Sequence, residues 1–488
     1  MSVNHQDRKV QFKASSDLQF PIDIGLAGPV QSDVLSESIF RFGRDINTYR
    51  ALSQLMRRDS PTINNDSNDK DLSRYKSPKL LADLITRMDH SLIFIQGPPG
   101  TGKTFLMSRV AVILLSMGFK IGVTSNSHKA ILNILYRIES FAKEQKVFFK
   151  GAKKSSKENT SQHFSNKETT ESLIEDLFKI DDLINGDYQL LAGTAWFFAN
   201  EKLDQTIDYL IVEEAGQMAL ATAIAAGTSA KSLILLGDQN QLEQPVQGVH
   251  PNNAGLSVVN YYLTETKNSD GIHTVVPSDK GIFLNKTYRL HPSICDFVSE
   301  AFYESKLVPS VSDLESEIIW SKNHDFNMKR NGIQLLLTSH NSCSKSSEVE
   351  AEKVCEIFET LLDGSFYKSK EGKKKIECDD ILVVAPYNMQ VELLKSLLPE
   401  GSKVGTIDKF QGQEARVVLV SMTTSSAEEI GKDVAFLFSK NRLNVAITRA
   451  KTLAVVLFND KLLEFPCKTQ EQIHLVNTFC WLHQNFHE

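Results

Sequence analysis

The stretch "SLIFIQGPPGTGKTFLMSRVAVILLSMG", residues 91–118, decides the fold. A short apolar run ends at Gly97, and apolar residues at helical spacing then run to Gly118. A strand that enters a helix through a glycine-rich turn is the signature of a phosphate-binding α/β domain. The turn supplies Gly97-x-x-x-x-Gly102-Lys103-Thr104, with Pro98, Gly100 and Thr101 inside it. Glycines let backbone N–H groups turn inward onto phosphate oxygens, Lys103 reaches the terminal phosphates, and the Thr104 hydroxyl can ligate magnesium. At average residue frequencies the pattern alone arises by chance in about two of a hundred chains this long. Its position between a strand and a helix removes most of that ambiguity. ATP and Mg2+ are the expected cofactors.

Working outward, the same alternation continues. "KIGVTS" reads as the next strand and "HKAILNILYRIESFAKE" as the next helix; "YLIVEE" and "SLILLG" are further strands. Such alternation predicts a parallel sheet with helices on both faces. A polar stretch from Gly151, "GAKKSSKENTSQHFSNKETTES", reads as an insertion over about 151–187. A second alternating set begins near 281, with "DILVVAPY", "KVGTI", "RVVLVSM" and "LAVVLF" as strands and "SKNRLNVAITRA" as a helix. Ahead of both sets lies one amphipathic helix, "INTYRALSQLMRR", and a polar tract rich in Asn, Asp and Ser. The expected organisation is a small N-terminal region (1–76), a first domain (77–265) and a second (266–488).

The 488 residues allow two to four domains, which accommodates that division. No apolar run approaches the ~20 residues of a membrane span, and the first residues lack the apolar core of a signal peptide. Six cysteines show no C-x-x-C pair, so zinc spacing and a disulfide framework are both unmarked. A cytoplasmic setting without membrane contact is expected. The net charge of −6 gives no support for nucleic acid, although a groove can be basic while the outside is acidic. Two lysine clusters, "KEQKVFFKGAKKSSKE" and "KSKEGKKKIE", read more readily as solvated loops than as binding patches.

Glu213 and Glu214 follow a buried strand about 110 residues after the loop. In phosphate-transferring enzymes of this type one acid holds magnesium and another residue orients the attacking water. "LILLGDQNQLEQP" puts Gly237-Asp238 and Gln241 at another strand end, where a γ-phosphate sensor would sit.

Six motifs now stand in order: "GPPGTGKT", "VEEAGQ", "GDQNQL", "TYRLHP", "TIDKFQGQEA" and "RLNVAITRAK". Together they resemble superfamily 1 helicases, in the branch of the nonsense-mediated-decay helicase. "GVTSNSHKAI" resembles bacterial members often joined to RecB-type nucleases. The resemblance covers roughly residues 90–460. It implies two tandem RecA-like domains, ATP in the cleft between them, and single-stranded nucleic acid across their top, with 5′-to-3′ movement and DNA favoured over RNA. By position, Glu213 would be the metal-side acid, Glu214 the catalytic base and Gln241 the γ-phosphate link. Arg289 and Arg449 would be arginine fingers, and Arg442, on the same helix face as Arg449, would join the nucleotide-binding residues. Tyr288 would pack near the nucleotide and Glu414 contact the ribose. Ser125, Asn126, Ser127, Thr194 and Thr406 would track the nucleic-acid backbone. Trp196 and Phe197 are candidates for base stacking, with core packing the stronger reading.

Three departures qualify the resemblance. Relatives carry Asp where this chain has Glu213, and Asp208 begins the strand too early to substitute. The glutamine that reads adenine just before the loop is missing, leaving Gln54 as a distant candidate. No nuclease segment is visible, so a nuclease working with this protein would be a separate chain. A second class of function therefore stays open: an ATP-gated clamp or regulatory subunit that grips nucleic acid without productive unwinding.

Overall fold

The computed structural model describes residues 2–4, 9–11, 32–64, 71–164, 172–244, 250–264, 273–310, 316–321, 327–370, 372–410, 412–430 and 434–486. Two parallel sheets dominate it. The first contains eight strands: β1 (Leu92–Gln96), β2 (Ile121–Thr124), β3 (Gly151–Lys154), β4 (Ile174–Leu177), β5 (Leu190–Gly193), β6 (Ile207–Val212), β7 (Ala230–Gly237) and β8 (Gly281–Phe283). Their order across the sheet is β8-β1-β7-β6-β2-β5-β3-β4. The second sheet runs β9-β13-β12-β10-β11, from β9 (Gly332–Leu337), β10 (Ile381–Val384), β11 (Lys403–Gly405), β12 (Ala415–Ser421) and β13 (Ala450–Phe458).

Sheets covered on both faces demand strands that are apolar throughout, and β1 and β2 are buried along their whole lengths. The helices that cover them follow the sequence pattern closely. Lys103–Ser116 and His128–Gln145 pack against each other on one face of the first sheet. Ser127 opens the second of these by accepting a hydrogen bond from the Ala130 N–H. Several strands, β1, β2, β5, β9 and β10 among them, lead into a helix at their carboxyl ends, so both sheets present their carboxyl edges as the place where loops and ligands gather.

Three expectations need correction. The supposed insertion contributes β3 and β4, which continue the first sheet in parallel register. Its Lys153 is buried, donating to Ser155 Oγ at 2.8 Å and to the Gln162 carbonyl at 2.6 Å, so it is no solvated lysine. The boundary expected at 265/266 lies within 265–272, outside the described residues, and β8 returns to the first sheet after it. Finally, the N-terminal region supplies two helices, Asp33–Arg44 and Arg50–Arg57, docked on the first lobe. Ser38 donates to the Ala225 carbonyl and Arg41 pairs with Asp204 at 2.9 Å. The cluster "KSKEGKKKIE" forms part of a small antiparallel sheet, with Gly372–Lys375 wholly exposed at its edge.

Candidate nucleotide cleft and nucleic-acid edge

A cleft of about 670 Å³ opens between the two sheets, lined from both. Its floor is the loop between β1 and Lys103. Gly100 and Gly102 have φ of +77° and +79°, a conformation that favours glycine. A Cβ on Gly100 would also fall 2.4 Å from Arg289 Cβ, because residues 287–289 dock directly on the loop. Tyr288 N–H donates to the Gly100 carbonyl at 2.9 Å, and Thr287 Oγ1 to the Pro99 carbonyl at 2.9 Å. Lys103 Nζ turns back onto the Gly97 carbonyl.

At the carboxyl end of β6, Glu213 is buried and accepts a 2.7 Å hydrogen bond from Thr104 Oγ1 on Oε1. Its Oε2 is buried without a partner. Burial, then the charge of Glu214, pushes the Glu213 carboxyl up to about 7, against the pull of Thr104, Lys103 and Arg137. A hydroxyl and a carboxylate oxygen lacking a donor, side by side beneath a phosphate loop, fit a magnesium ion that keeps several waters. Among the described residues no cluster of three or more acidic, histidine or cysteine ligands offers an alternative metal site. Glu214 sits one residue on, in the left-handed region at φ +56°, and lines the same cleft.

Gln241 also lines the cleft, its Nε2 donating to Asp238 Oδ2 at 2.9 Å. Tyr303 OH donates to the same oxygen at 2.6 Å, and Asn444 Nδ2 donates to Tyr303 OH at 3.0 Å. The strand end that carries Asp238 is thus tied to the helix Lys440–Ile447 of the second lobe.

From the second lobe, Arg289, Arg449, Glu414 and Tyr288 reach the cleft. Arg289 Nε lies 2.6 Å from Glu414 Oε2, a close ion pair whose N–H is not aligned on the oxygen. Arg449 is buried and donates to the carbonyls of Val445 (3.2 Å) and Gln413 (3.1 Å). Burial and neighbouring Arg289 push its guanidinium down to about 10, with Glu214 pulling the other way, so it is charged at neutral pH.

Arg442 departs from expectation. The helix ends at Ile447, so Arg449 lies beyond it rather than one heptad along the same face. Arg442 instead pairs with Asp408 at 3.0 Å, stacks on Phe436 and borders a separate apolar cavity. Gln54 is also placed elsewhere. Its amide is buried at the start of β1, bonded to Leu92 N–H and carbonyl and to Ser91 Oγ, at the opposite end of the strand from the loop. Three charged cleft residues went unnoticed in the sequence: Arg137, Arg416 and Lys451. Arg137 had a legible signal, since Ala130, Asn133 and Arg137 follow helical spacing along one helix wall.

The residues expected at nucleic acid lie at the carboxyl edges instead of in the cleft. Ser125 follows β2, Thr194 follows β5 and Thr406 follows β11. Because Thr124 pairs with both Gly193 and Val212, Ser125 stands beside Thr194 on one side and Glu213 on the other. Asn126 Nδ2 donates to the Gln217 carbonyl at 2.6 Å, joining this edge to the acidic loop. Ser127 serves the helix as its cap. Phe197 is buried, while Trp196 is 40% exposed beside Thr194.

Comparison with known proteins bears on the whole arrangement. Residues 79–250 and 267–461 each match a family model described as an AAA domain. The chain is 28% identical over 396 residues to the DNA replication ATP-dependent helicase/nuclease DNA2 of Bos taurus, covering 76% of this chain and 35% of that protein. It is 27% identical over 419 residues to the DNA polymerase alpha-associated DNA helicase A of Schizosaccharomyces pombe, covering 74% and 60%. It therefore spans 35% of the length of the Bos taurus, Xenopus laevis and Homo sapiens DNA2 proteins it matches. Among solved structures it resembles an arterivirus nonstructural protein 10 (helicase) in complex with DNA, at 13% identity and a TM-score of 0.41, covering 80% of this chain and 63% of that one. No helix among the described residues is long and apolar enough to cross a membrane.

Proposed function

We propose, on the premise that the chain belongs with the superfamily 1 helicases, that it hydrolyses ATP in this cleft and moves along single-stranded nucleic acid, DNA favoured, in the 5′-to-3′ direction. One observation carries the reading: Lys103, Thr104, Glu213 and Glu214 from one sheet face Arg289 and Arg449 from the other across a single cleft.

On this reading the loop from Gly97 to Gly102 cradles the phosphates, and Lys103 leaves the Gly97 carbonyl for the terminal ones. Thr104 and Glu213 would hold Mg2+, which, when bound, neutralises charge on the phosphates. Glu214 orients and deprotonates the attacking water. Arg289 and Arg449 stabilise charge on the transferred group, a contribution worth ~10³–10⁵ in rate. Arg289 must leave or share Glu414 to do so, which makes hydrolysis depend on how the lobes close. Glu414 holds Arg289 between turnovers and meets the ribose when the cleft fills. Ser125, Asn126, Thr194 and Thr406 contact the sugar–phosphate backbone, and Asn126 couples that contact to the acidic loop. Small hydroxyls and amides suit tracking without reading bases. The name of the DNA2 relatives joins helicase to nuclease, so a nuclease acting on the same strand is the companion activity this reading expects.

Turnover of ATP with and without single-stranded DNA or RNA, paired with strand displacement, tests this. Stimulated turnover and hydrolysis-dependent unwinding are expected. A clamp that binds without unwinding is the second reading; Glu213 in place of the shorter acid and the Arg289–Glu414 pair favour it. Binding that survives a non-hydrolysable analogue, with no strand displacement in ATP, would select it.

A further inference from the structure

We infer that the exposed strand Gly372–Lys375 is a docking edge for an extended, acidic segment of a partner protein, which adds to it as a further strand. The inference does not rest on the nucleotide-hydrolysing reading. Lys368, Lys370, Lys373, Lys374 and Lys375 crowd into one short hairpin, and all are exposed. The strands Glu317–Ile319, Phe366–Ser369 and Gly372–Lys375 form an antiparallel sheet in that order, with the lysine strand outermost. This small sheet sits at the amino edge of the second large one. Arg416, near the start of β12, lies 4.5 Å from the Tyr367 ring centre, and Ser316 Oγ is 2.7 Å from Thr452 Oγ1, near the start of β13. Thr406, the nucleic-acid contact expected of the second lobe, stands at the opposite edge.

Register decides what the lysine strand presents. Ile318 pairs with Tyr367 and both are buried, so that side of the small sheet packs on the lobe. Alternation puts Phe366, Lys368, Lys373 and Lys375 on the outward side. Ile376 N–H donates to the Ser365 carbonyl, which fixes where the ladder bonds fall. Lys373 and Lys375 therefore lie in the pairs whose backbone N–H and C=O groups point away from the neighbouring strand. The same two residues thus offer both a free ladder edge and outward ammonium groups. Neither forms an ion pair among the described residues, and Lys373 lies over the Phe366 ring at 4.2 Å.

Residues two apart on a strand are roughly 6.8 Å apart, so acids at alternate positions of an extended partner meet both lysines while its backbone pairs with theirs. Opposite charges across such a pair stabilise it and like charges oppose it. Lysines on a free edge also keep other sheets from adding to it. That guard acts through charge, so it turns away neutral and basic strands and admits one that carries acids. The uncompensated charge is confined to one row. Lys368, on the next strand in, is already answered by Glu317 at 4.0 Å, which also meets Arg330 at 3.4 Å. A single row of cations beside unpaired amides and carbonyls fits an extended peptide; a nucleic acid has no amide ladder to add to it.

The test is fluorescence anisotropy of the full chain with a labelled peptide of alternating Glu and Val, roughly ten residues long. Saturable binding is expected, and it should fall about tenfold when the peptide's alternate backbone nitrogens are methylated, because the ladder donors are lost. That comparison uses the wild type, so it stands however the variants fold. Lys373→Glu combined with Lys375→Glu should weaken the Glu–Val peptide by about tenfold or more and gain affinity for a Lys–Val peptide that the wild type does not bind. No binding of the Glu–Val peptide to the wild type, or equal binding of its methylated form, overturns strand addition. A DNA duplex that binds more tightly than the peptide and is lost in the double variant assigns the row to nucleic acid. Self-association of the wild type that the double variant abolishes assigns it to a second copy of the chain, and either result overturns the proposal.

Discussion

Arg289 and Glu414 form a 2.6 Å ion pair inside the nucleotide cleft, and Lys451 holds the other carboxylate oxygen at 2.5 Å. Burial pushes the Glu414 carboxyl up, but Arg289 and Lys451 outweigh it and hold it below the usual glutamate range. A carboxyl depressed in the folded state stabilises above its unfolded pKa, and that contribution is lost as pH falls through the folded value. Glu414→Gln should therefore lower the melting temperature at pH 7, and the gap to wild type should close on acidification below about pH 4. With the carboxylate side chain 37% exposed, solvent screening keeps the effect under about 1 kcal/mol. Thermal melts at the two extremes check it; an equal gap at both would show that the pair contributes nothing through charge.

The Glu213 carboxylate touches Thr104 with one oxygen and leaves the other without a donor. The extra methylene relative to aspartate brings the acid one bond nearer the loop, and small misplacements beside the chemistry cost ~100-fold in rate. Turnover of the wild type should exceed that of Lys103→Ala, and Glu213→Asp should be faster still. A Glu213→Asp variant no faster than wild type would mean that the longer side chain is already seated for the metal.

The sheet-helix alternation was legible because buried parallel strands need continuous apolar runs, and β1, β2, β6 and β7 have them. β3 and β4 were missed because "GAKK" and "IEDL" are polar; β4 is the far edge of the sheet, and Lys153 in β3 is satisfied by hydrogen bonds rather than by water. In the cleft, motif residues could be placed because their spacing encodes strand ends. Arg416 and Lys451 stand only two residues beyond Glu414 and Arg449, each as the second residue of β12 and β13, a proximity that the motif reading left unused. Arg442 misled for a local reason: helical spacing was extended two residues past the true helix end.

Gln54 illustrates the opposite error, a polar residue available to sequence reasoning as a ligand contact but spent on the fold. Its amide satisfies both backbone groups of Leu92 and the Ser91 hydroxyl. Gln54→Ala leaves these buried groups unpaired at a cost of about 1–3 kcal/mol. Urea denaturation should show that loss, while the ATP dissociation constant of the folded fraction stays at the wild-type value. A weakened nucleotide affinity with unchanged stability would return Gln54 to the binding site.

Tyr303 bridges the lobes through a single hydroxyl: it donates to Asp238 Oδ2 and accepts from Asn444 Nδ2. Asn444 also donates to the Asn240 carbonyl at 2.7 Å and Asn441 to the Gln239 carbonyl at 3.2 Å, so their helix holds the Asp238–Gln241 turn by three points and leads into Arg449 five residues after Asn444. Removing the hydroxyl in Tyr303→Phe leaves a buried carboxylate short of one donor, which should cost about 1–3 kcal/mol of stability. The bridge also gives a side-chain path from Gln241 through Asp238 and Tyr303 to Asn444, on the helix ahead of Arg449. Turnover stimulated by single-stranded DNA should accordingly fall further than unstimulated turnover in this variant. Equal losses in both rates, scaling with the fraction folded, would assign Tyr303 to stability alone and leave the coupling to the Arg289 side of the cleft.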